Sequence, residues 1–255
     1  MPDKIIRLSE LVRPQPRQKA FLEAVQKFKF VLYGGAAGGG KSYILRWWLV
    51  LFLLWAFFKY GVRNVRVGLF CEDYPSLKDR QLSKIITEFP SWLGELKNDQ
   101  ALGLIYRLKP EFGGGFIALR NLDEPNKYDS TEFAAIAVDE LGKNKVDVFD
   151  ELRKRLRWPS VPGEPSFPPD FIFPFAGGTN PGGPGHSWIK SYFIDKQLPP
   201  WLEKYKDQFC FIPALASDNK YNPPSYYEDL KSLPPLLAKP APKEEASTPT
   251  KSKGR

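Results

Sequence analysis

The sequence predicts an α/β domain with a mostly parallel central sheet flanked by helices. Three observations predict it. Short apolar runs alternate with helical stretches along most of the chain. One run, FAAIAV at 133–138, is apolar throughout, as a strand buried on both faces must be. A glycine-rich octet lies between an apolar run and a long apolar helical stretch.

The elements follow in order. Phe28–Tyr33 (FKFVLY) reads as a strand that runs into the glycine loop, and Ser42–Lys59 as the helix after it. Val65–Cys71 (VRVGLFC) reads as a second strand and Leu77–Phe89 as a helix. Leu104–Leu108 and Phe116–Leu119 read as a hairpin around Phe112-Gly113-Gly114-Gly115. Phe133–Val138 is the buried strand, Lys145–Arg157 a helix, and Phe171–Ala176 another apolar run. Ser187–Lys196 is helical, Phe209–Pro213 a short strand, and Ser225–Leu233 a helix after Pro223-Pro224. No internal repeat interrupts this order.

The 255 residues are 42% apolar and 26% charged, enough for a packed core. There are 37 Lys and Arg against 29 Asp and Glu, a net charge of +8. A basic balance suits a polyanionic partner and is silent on fold. Two domains are expected in name only: a folded unit over 1–237 and a disordered basic tail over 238–255 (AKPAPKEEASTPTKSKGR), which has three prolines and no aromatic residue. The tail carries five Lys and Arg against two Glu, so the folded part is only mildly basic. Cys71 and Cys210 cannot build a disulfide scaffold, which points to a reducing compartment. Met1–Glu10 has no apolar signal core. Trp47–Phe58 is twelve apolar residues in a row. As a helix that run spans about 18 Å, short of the roughly 30 Å of a bilayer core, so a buried helix is expected and no membrane.

Gly35-Ala36-Ala37-Gly38-Gly39-Gly40-Lys41-Ser42 fits G-x-x-x-x-G-K-[ST] at every position and sits between a strand and a helix. Glycines let consecutive backbone N–H groups turn inward as an anion nest, and the following helix points its positive end at the same place. Lys41 would supply a point charge to the β- and γ-phosphates of ATP, and Ser42 a hydroxyl to Mg²⁺. The α/β domain is therefore expected to be a P-loop NTPase.

The buried strand at 133–138 ends in Asp139-Glu140, 98 residues after Lys41. Carboxyl ends of strands form the ligand crevice of such sheets. Asp139 would hold Mg²⁺, directly or through water, and Glu140 would orient or deprotonate the attacking water. A glutamate beside the metal aspartate points to NTP hydrolysis.

These residues resemble the ATPase portion of the large subunit of tailed-phage terminases, the DNA-packaging motors. The resemblance runs from about Leu11 to Leu233. Leu11-Val12-Arg13-Pro14-Gln15-Pro16-Arg17-Gln18 is similar to that family's adenine-reading segment, which makes Gln18 the base contact; the alternative is an exposed polar residue on the first helix. Gly35–Ser42 resembles the family's phosphate loop, and Asn121–Glu140 its approach to the acidic pair. The stretch 178–190 (GTNPGGPGHSWIK) resembles the coupling segment that senses the γ-phosphate through Thr179 and Asn180. Phe211-Ile212-Pro213-Ala214, Asp218-Asn219, Tyr226 and Leu230 also look like the family pattern.

The resemblance implies an ATP- and Mg²⁺-dependent motor that moves double-stranded viral DNA into a procapsid. It implies a homo-oligomeric ring on a portal protein, a terminase small subunit as partner, and the host-cell cytoplasm as its place. The family's nuclease domain has no counterpart among these residues, so DNA cutting is not expected. A truncated or split fragment that binds ATP without motor activity remains an alternative, as does a helicase-like DNA-dependent ATPase. The phosphate loop has no arginine of its own; Arg120, Arg153, Arg155 and Arg157 are candidates for a finger across a subunit boundary.

The run Arg153-Lys154-Arg155-Leu156-Arg157 reads equally as a DNA-backbone contact, a reach toward a neighbour's ATP, or a solvated helix face. His186, the sole histidine, reads as a structural residue of a glycine loop. Trp47, Trp48 and Trp55 read as core residues, and the two cysteines as core packing.

Overall fold

Residues 11–35, 37–123 and 131–223, with Ser225, Tyr226 and Glu228, are described by a computed structural model. Ala36, residues 124–130 of the approach to the acidic pair, Leu230, the amino terminus and the tail 238–255 lie outside the described residues.

The strands are β1 (Phe30–Gly35), β2 (Arg66–Cys71), β3 (Gly94–Asp99), β4 (Gly103–Leu108), β5 (Phe116–Asn121), β6 (Ala135–Val138), β7 (Phe175–Thr179) and β8 (Phe209–Ala214). They form one sheet in the order β3-β4-β5-β2-β6-β7-β1-β8. The six strands from β5 to β8 in that order are mutually parallel. β3 and β4 add an antiparallel margin. All six parallel strands therefore end on one edge, which is where ligands bind in such sheets. β7 lies between β1, which leads into the glycine loop, and β6, which leads into Asp139-Glu140.

Helices cover both faces, and the period-2 pattern of the strands explains why. Val31 and Tyr33 of β1, with Ala135 and Ala137 of β6, face one apolar cluster. Phe30 and Leu32, with Ile136 and Val138, face the other. The first cluster is filled by α1 (Pro16–Ala24) and α2 (Lys41–Tyr60). The second is filled by α3 (Val146–Arg153), whose Phe149 is fully buried, and by the α4 turn His186–Ile189 with its π-helical continuation Lys190–Ile194. A mostly parallel sheet flanked by helices is thus the observed architecture.

α2 has the length of a membrane span, 20 residues, yet 67% of its most apolar window is buried inside the fold. Trp48 packs edge-on against Phe21 of α1, and Trp47 against Phe89. Trp47 and Trp48 are core residues, as their sequence context indicates, while Trp55 is only partly buried against the same cluster. Cys71 is buried and Cys210 half-buried, and neither is in a disulfide.

Several boundaries differ from the sequence expectation, each for a local reason. The helix after β2 begins at Tyr74, three residues early, because the Asp73 carboxylate accepts a hydrogen bond from the Ser76 N–H at 2.7 Å and caps it. It runs through a π-helical turn, Lys78–Leu82, into Ser83–Glu88. The run Phe171–Ala176 becomes strand only from Phe175, since Pro174 cannot donate to a ladder. Phe171 and Phe173 instead pack against Phe167 beneath α2. The helix expected over Lys145–Arg157 stops at Arg153, because the chain turns so that Leu156 can bridge Phe133. β3 lies outside the sequence expectation: GELKND has no apolar alternation, and it forms an edge strand zipped to β4.

Candidate nucleotide-binding and hydrolytic site

The glycine loop is shaped by what its carbonyls are tied to. The Gly38 carbonyl accepts from Asn219 Nδ2 at 2.7 Å and Asn222 Nδ2 at 3.1 Å. The Gly39 carbonyl accepts from the Tyr33 hydroxyl at 3.4 Å, and that of Gly40 from Gln18 Nε2 at 3.1 Å. In a trans peptide the next residue's N–H points opposite to the carbonyl. Pulling three successive carbonyls outward therefore aims the N–H groups of Gly39, Gly40 and Lys41 to the other side, as an anion nest requires. Gly38 and Gly40 have φ of 79° and 69°, the left-handed region that glycine enters without penalty. Ala37 is exposed at the loop's tip, and Gly35 closes β1.

Gln18 is buried, not an exposed face residue. Its Oε1 accepts the Gln15 N–H at 2.9 Å while its Nε2 holds Gly40. Gln15 in turn donates to Asn219 Oδ1 at 2.7 Å. The segment expected to read adenine is thereby fastened to the phosphate loop.

Lys41 and Ser42 open α2 and point at the ends of β6 and β7. Lys41 is only 7% exposed, and burial depresses its ammonium below the ordinary lysine value, with Glu140 and Asp139 opposing that drop. Ser42 Oγ donates to Asp139 Oδ1 at 2.9 Å. Asp139 is 1% exposed. Gly178 of β7 runs past these groups: a Cβ there would lie 3.5 Å from Asp139 Oδ1 and 3.7 Å from Lys41 Cβ.

Glu140 sits at φ 53°, ψ 47°, a left-handed conformation uncommon for a residue with a side chain. Its carboxyl is raised above the ordinary glutamate value, first by burial and then by the Asp139 charge, with Lys41, Arg80 and Lys143 offsetting part of the rise. Asn180 Nδ2 donates to Glu140 Oε1 at 2.8 Å. Thr179 Oγ1 donates to the Asn180 carbonyl at 3.1 Å and lies where a Cβ on Gly142 would be, 2.5 Å away. The structure thus brings Lys41, Ser42, Asp139, Glu140, Thr179 and Asn180 together at one sheet edge. A carboxylate poised more basic than usual can take a proton from water. The serine hydroxyl and aspartate oxygen are the hard donors that Mg²⁺ takes alongside phosphate oxygens and water.

Sequence reasoning missed several residues around this centre. Gln81 donates from Nε2 to Asp139 Oδ2 at 2.7 Å and is fully buried. Glu72, one residue past β2, accepts from Ser76 at 2.9 Å, from Lys143 at 2.5 Å, and from Arg80. Burial works to raise its carboxyl, but these hydrogen bonds outweigh that and hold it below the ordinary value. Only Asn219 had a signal, through its place in the resembled pattern.

The basic candidates are engaged within the chain. Arg120 donates to the carbonyls of Leu104 at 2.8 Å and Leu119 at 2.9 Å. Arg153 pairs with Asp150, Lys154 with Glu151 and Arg157 with Glu132, each at 2.6 Å, and Arg155 with Glu151 at 3.6 Å. His186 Nδ1 accepts the Gly182 N–H at 3.2 Å, a structural place in the glycine loop.

The fold is that of a P-loop α/β domain with an extra strand between the glycine-loop strand and the acidic-pair strand. The structure is similar to solved large terminases of bacteriophages. The large terminase from a thermophilic bacteriophage superposes with a TM-score of 0.62 at 18% identity, over 85% of this chain and 49% of the other. The ADP complex of that terminase gives 0.62 at 16% identity, with the same coverage. A variant of the large terminase ATPase domain of Thermus phage P74-26 gives 0.57 at 13% identity, over 90% of this chain and 93% of that domain. The chain spans about half the length of the first of these. No family model and no curated protein matches the sequence.

Proposed function

We propose that this chain is the ATP-hydrolysing part of a terminase-type motor that moves double-stranded viral DNA into a procapsid. The observation that carries the reading is the convergence of Ser42–Asp139 with Glu140–Asn180 at one edge of the sheet. Its support is the likeness to large terminases, one of which has been solved both with ADP and with ATP-gamma-S.

The residues divide the work. N–H groups of the glycine loop and the Lys41 ammonium bind the phosphates of ATP. Ser42 and Asp139 would hold Mg²⁺, which when bound supplies positive charge to the β- and γ-phosphate oxygens. Glu140, desolvated and more basic than usual, orients a water and accepts its proton as that water's oxygen attacks the γ-phosphorus, with ADP as leaving group. Asn180 fixes the Glu140 carboxylate and, with Thr179, reports loss of the γ-phosphate to the 178–190 segment. Gln18 contacts the adenine. Double-stranded DNA, a portal protein, a terminase small subunit and further copies of the chain in a ring are the partners in this proposal, in the host-cell cytoplasm. DNA cleavage is not part of it.

The test is ATPase activity of the purified chain with and without double-stranded DNA, beside Lys41→Ala. DNA-stimulated turnover lost in the variant supports the proposal. Equal turnover in both proteins refutes it.

A further inference from the structure

Gln81 lies in the π-helical turn Lys78–Leu82 that interrupts the helix after β2. Such a turn carries an extra residue and re-aims the side chains that follow, and it recurs at functional sites. Here it sends a fully buried amide across to the end of β6.

The amide has only one satisfied orientation. Its Oε1 accepts from Arg46 Nη1 at 2.9 Å, and its Nε2 donates to Asp139 Oδ2 at 2.7 Å. Arginine is a pure donor and an ionised carboxylate a pure acceptor, so a flipped amide would face donor with donor and acceptor with acceptor. Arg46 is itself locked: it is 3% exposed, and its Nη2 pairs with Glu88 Oε1 at 2.8 Å. The chain Glu88–Arg46–Gln81–Asp139–Ser42 is thus continuous. It reaches the second oxygen of a carboxylate whose first oxygen Ser42 occupies.

We propose that Gln81 is the positioning residue that orients Asp139 toward the Mg²⁺ accompanying ATP. This rests on the site reading above. An amide suits the task better than a cation: it fixes the carboxylate plane without neutralising the charge the metal needs. Outer hydrogen bonds of this kind govern metal affinity by about 10–100-fold.

The experiment titrates Mg²⁺ into each protein with ATP-γ-S and follows nucleotide affinity, with an EDTA series as the metal-free reference. Gln81→Met keeps the volume and removes the donor, while Arg46 retains Glu88 and the Arg80 carbonyl. The half-saturating Mg²⁺ concentration rises about 10-fold or more in Gln81→Met, with metal-free nucleotide affinity unchanged. Arg46→Met, which leaves Gln81 in place but lets its amide turn, raises it by a smaller factor, and decides the matter if Gln81→Met does not fold. Wild-type Mg²⁺ dependence in these variants overturns the inference, as does an equal loss of affinity with and without metal. A wild-type chain that binds ATP-γ-S with no Mg²⁺ effect overturns the site reading and this inference with it.

Discussion

Replacing Glu140 with glutamine separates the base role proposed for its carboxyl group from the hydrogen bond it accepts from Asn180. The change keeps the side chain's shape, and the Oε1 atom can still accept the 2.8 Å bond from Asn180. The left-handed backbone at φ 53° is untouched. What disappears is the base. General-base assistance is worth about 10²–10⁴ in rate, which is about 3–5 kcal/mol of barrier. Hydrolysis should therefore fall by that factor in a steady-state phosphate-release assay. Affinity for Mg·ATP-γ-S should stay within about fivefold, the worth of one ordinary hydrogen bond.

Stability should move the opposite way. Burial raises the Glu140 carboxyl above its unfolded value, so ionising it in the folded protein costs free energy. That cost is absent below the unfolded value of about 4.3. It grows as pH rises toward the raised folded value and is complete above it. Glutamine never incurs it, so Glu140→Gln should melt higher than wild type at pH 8, with the gap closing at pH 4. Wild-type turnover should rise with pH through the same raised ionisation. Unchanged turnover in the variant, or a lower melting temperature at pH 8, would refute the assignment of Glu140 as a desolvated base.

Ser42→Ala removes the hydroxyl that bonds Asp139 at 2.9 Å; Mg²⁺ should then lose most of its effect on ATP-γ-S affinity while metal-free binding persists, as read by fluorescence titration. Gly40→Ala forces a side chain into φ 69° and places a Cβ 2.6 Å from Gln18 Nε2. It should cost about 1–2 kcal/mol in urea unfolding and weaken nucleotide binding, and wild-type stability would contradict the loop geometry. Asn180→Ala takes a donor from the ionised form of Glu140, so the acid limb of the pH–rate profile should move to higher pH. An unmoved limb would mean that Asn180 does not tune the base.

The sheet could be anticipated from the sequence because its central strands are apolar on both faces. FAAIAV cannot be left in water, and the FVLY stretch of FKFVLY is buried throughout. β3 could not be anticipated, since GELKND is held by its pairing with β4 and not by its own burial. The Lys41, Ser42 and Asp139-Glu140 positions were visible because phosphate and metal chemistry constrain residue type and spacing together. Gln81, Arg46 and Glu88 were not. Their roles depend on a π-helical turn and on contacts 35 to 58 residues apart in sequence, and no local pattern encodes either. The basic cluster at 153–157 shows the converse: a conspicuous charge run whose four cations all pair within the chain, with Asp150, Glu151 and Glu132.

The position of β7 gives a physical basis for the coupling proposed above. Its last residue, Thr179, and the next, Asn180, meet the loop after β6 at several points. Asn180 holds Glu140, and Thr179 lies against Gly142. The Gly185 N–H donates to the Gly142 carbonyl at 2.8 Å, and Trp188 Nε1 donates to the Asn144 carbonyl at 3.0 Å. Trp188 also stacks on Phe149 of α3, 5.4 Å between ring centroids. These contacts tie the two loops to the turn at 186–189, and packed interfaces shift between arrangements and do not stretch. In the proposed function, a change in what Glu140 faces when the γ-phosphate departs would be felt first at Asn180 and next along Gly182–Trp188. In that proposal the chemistry lies at the ends of β1 and β6, and β7, the strand between them, is the one placed to carry its outcome outward.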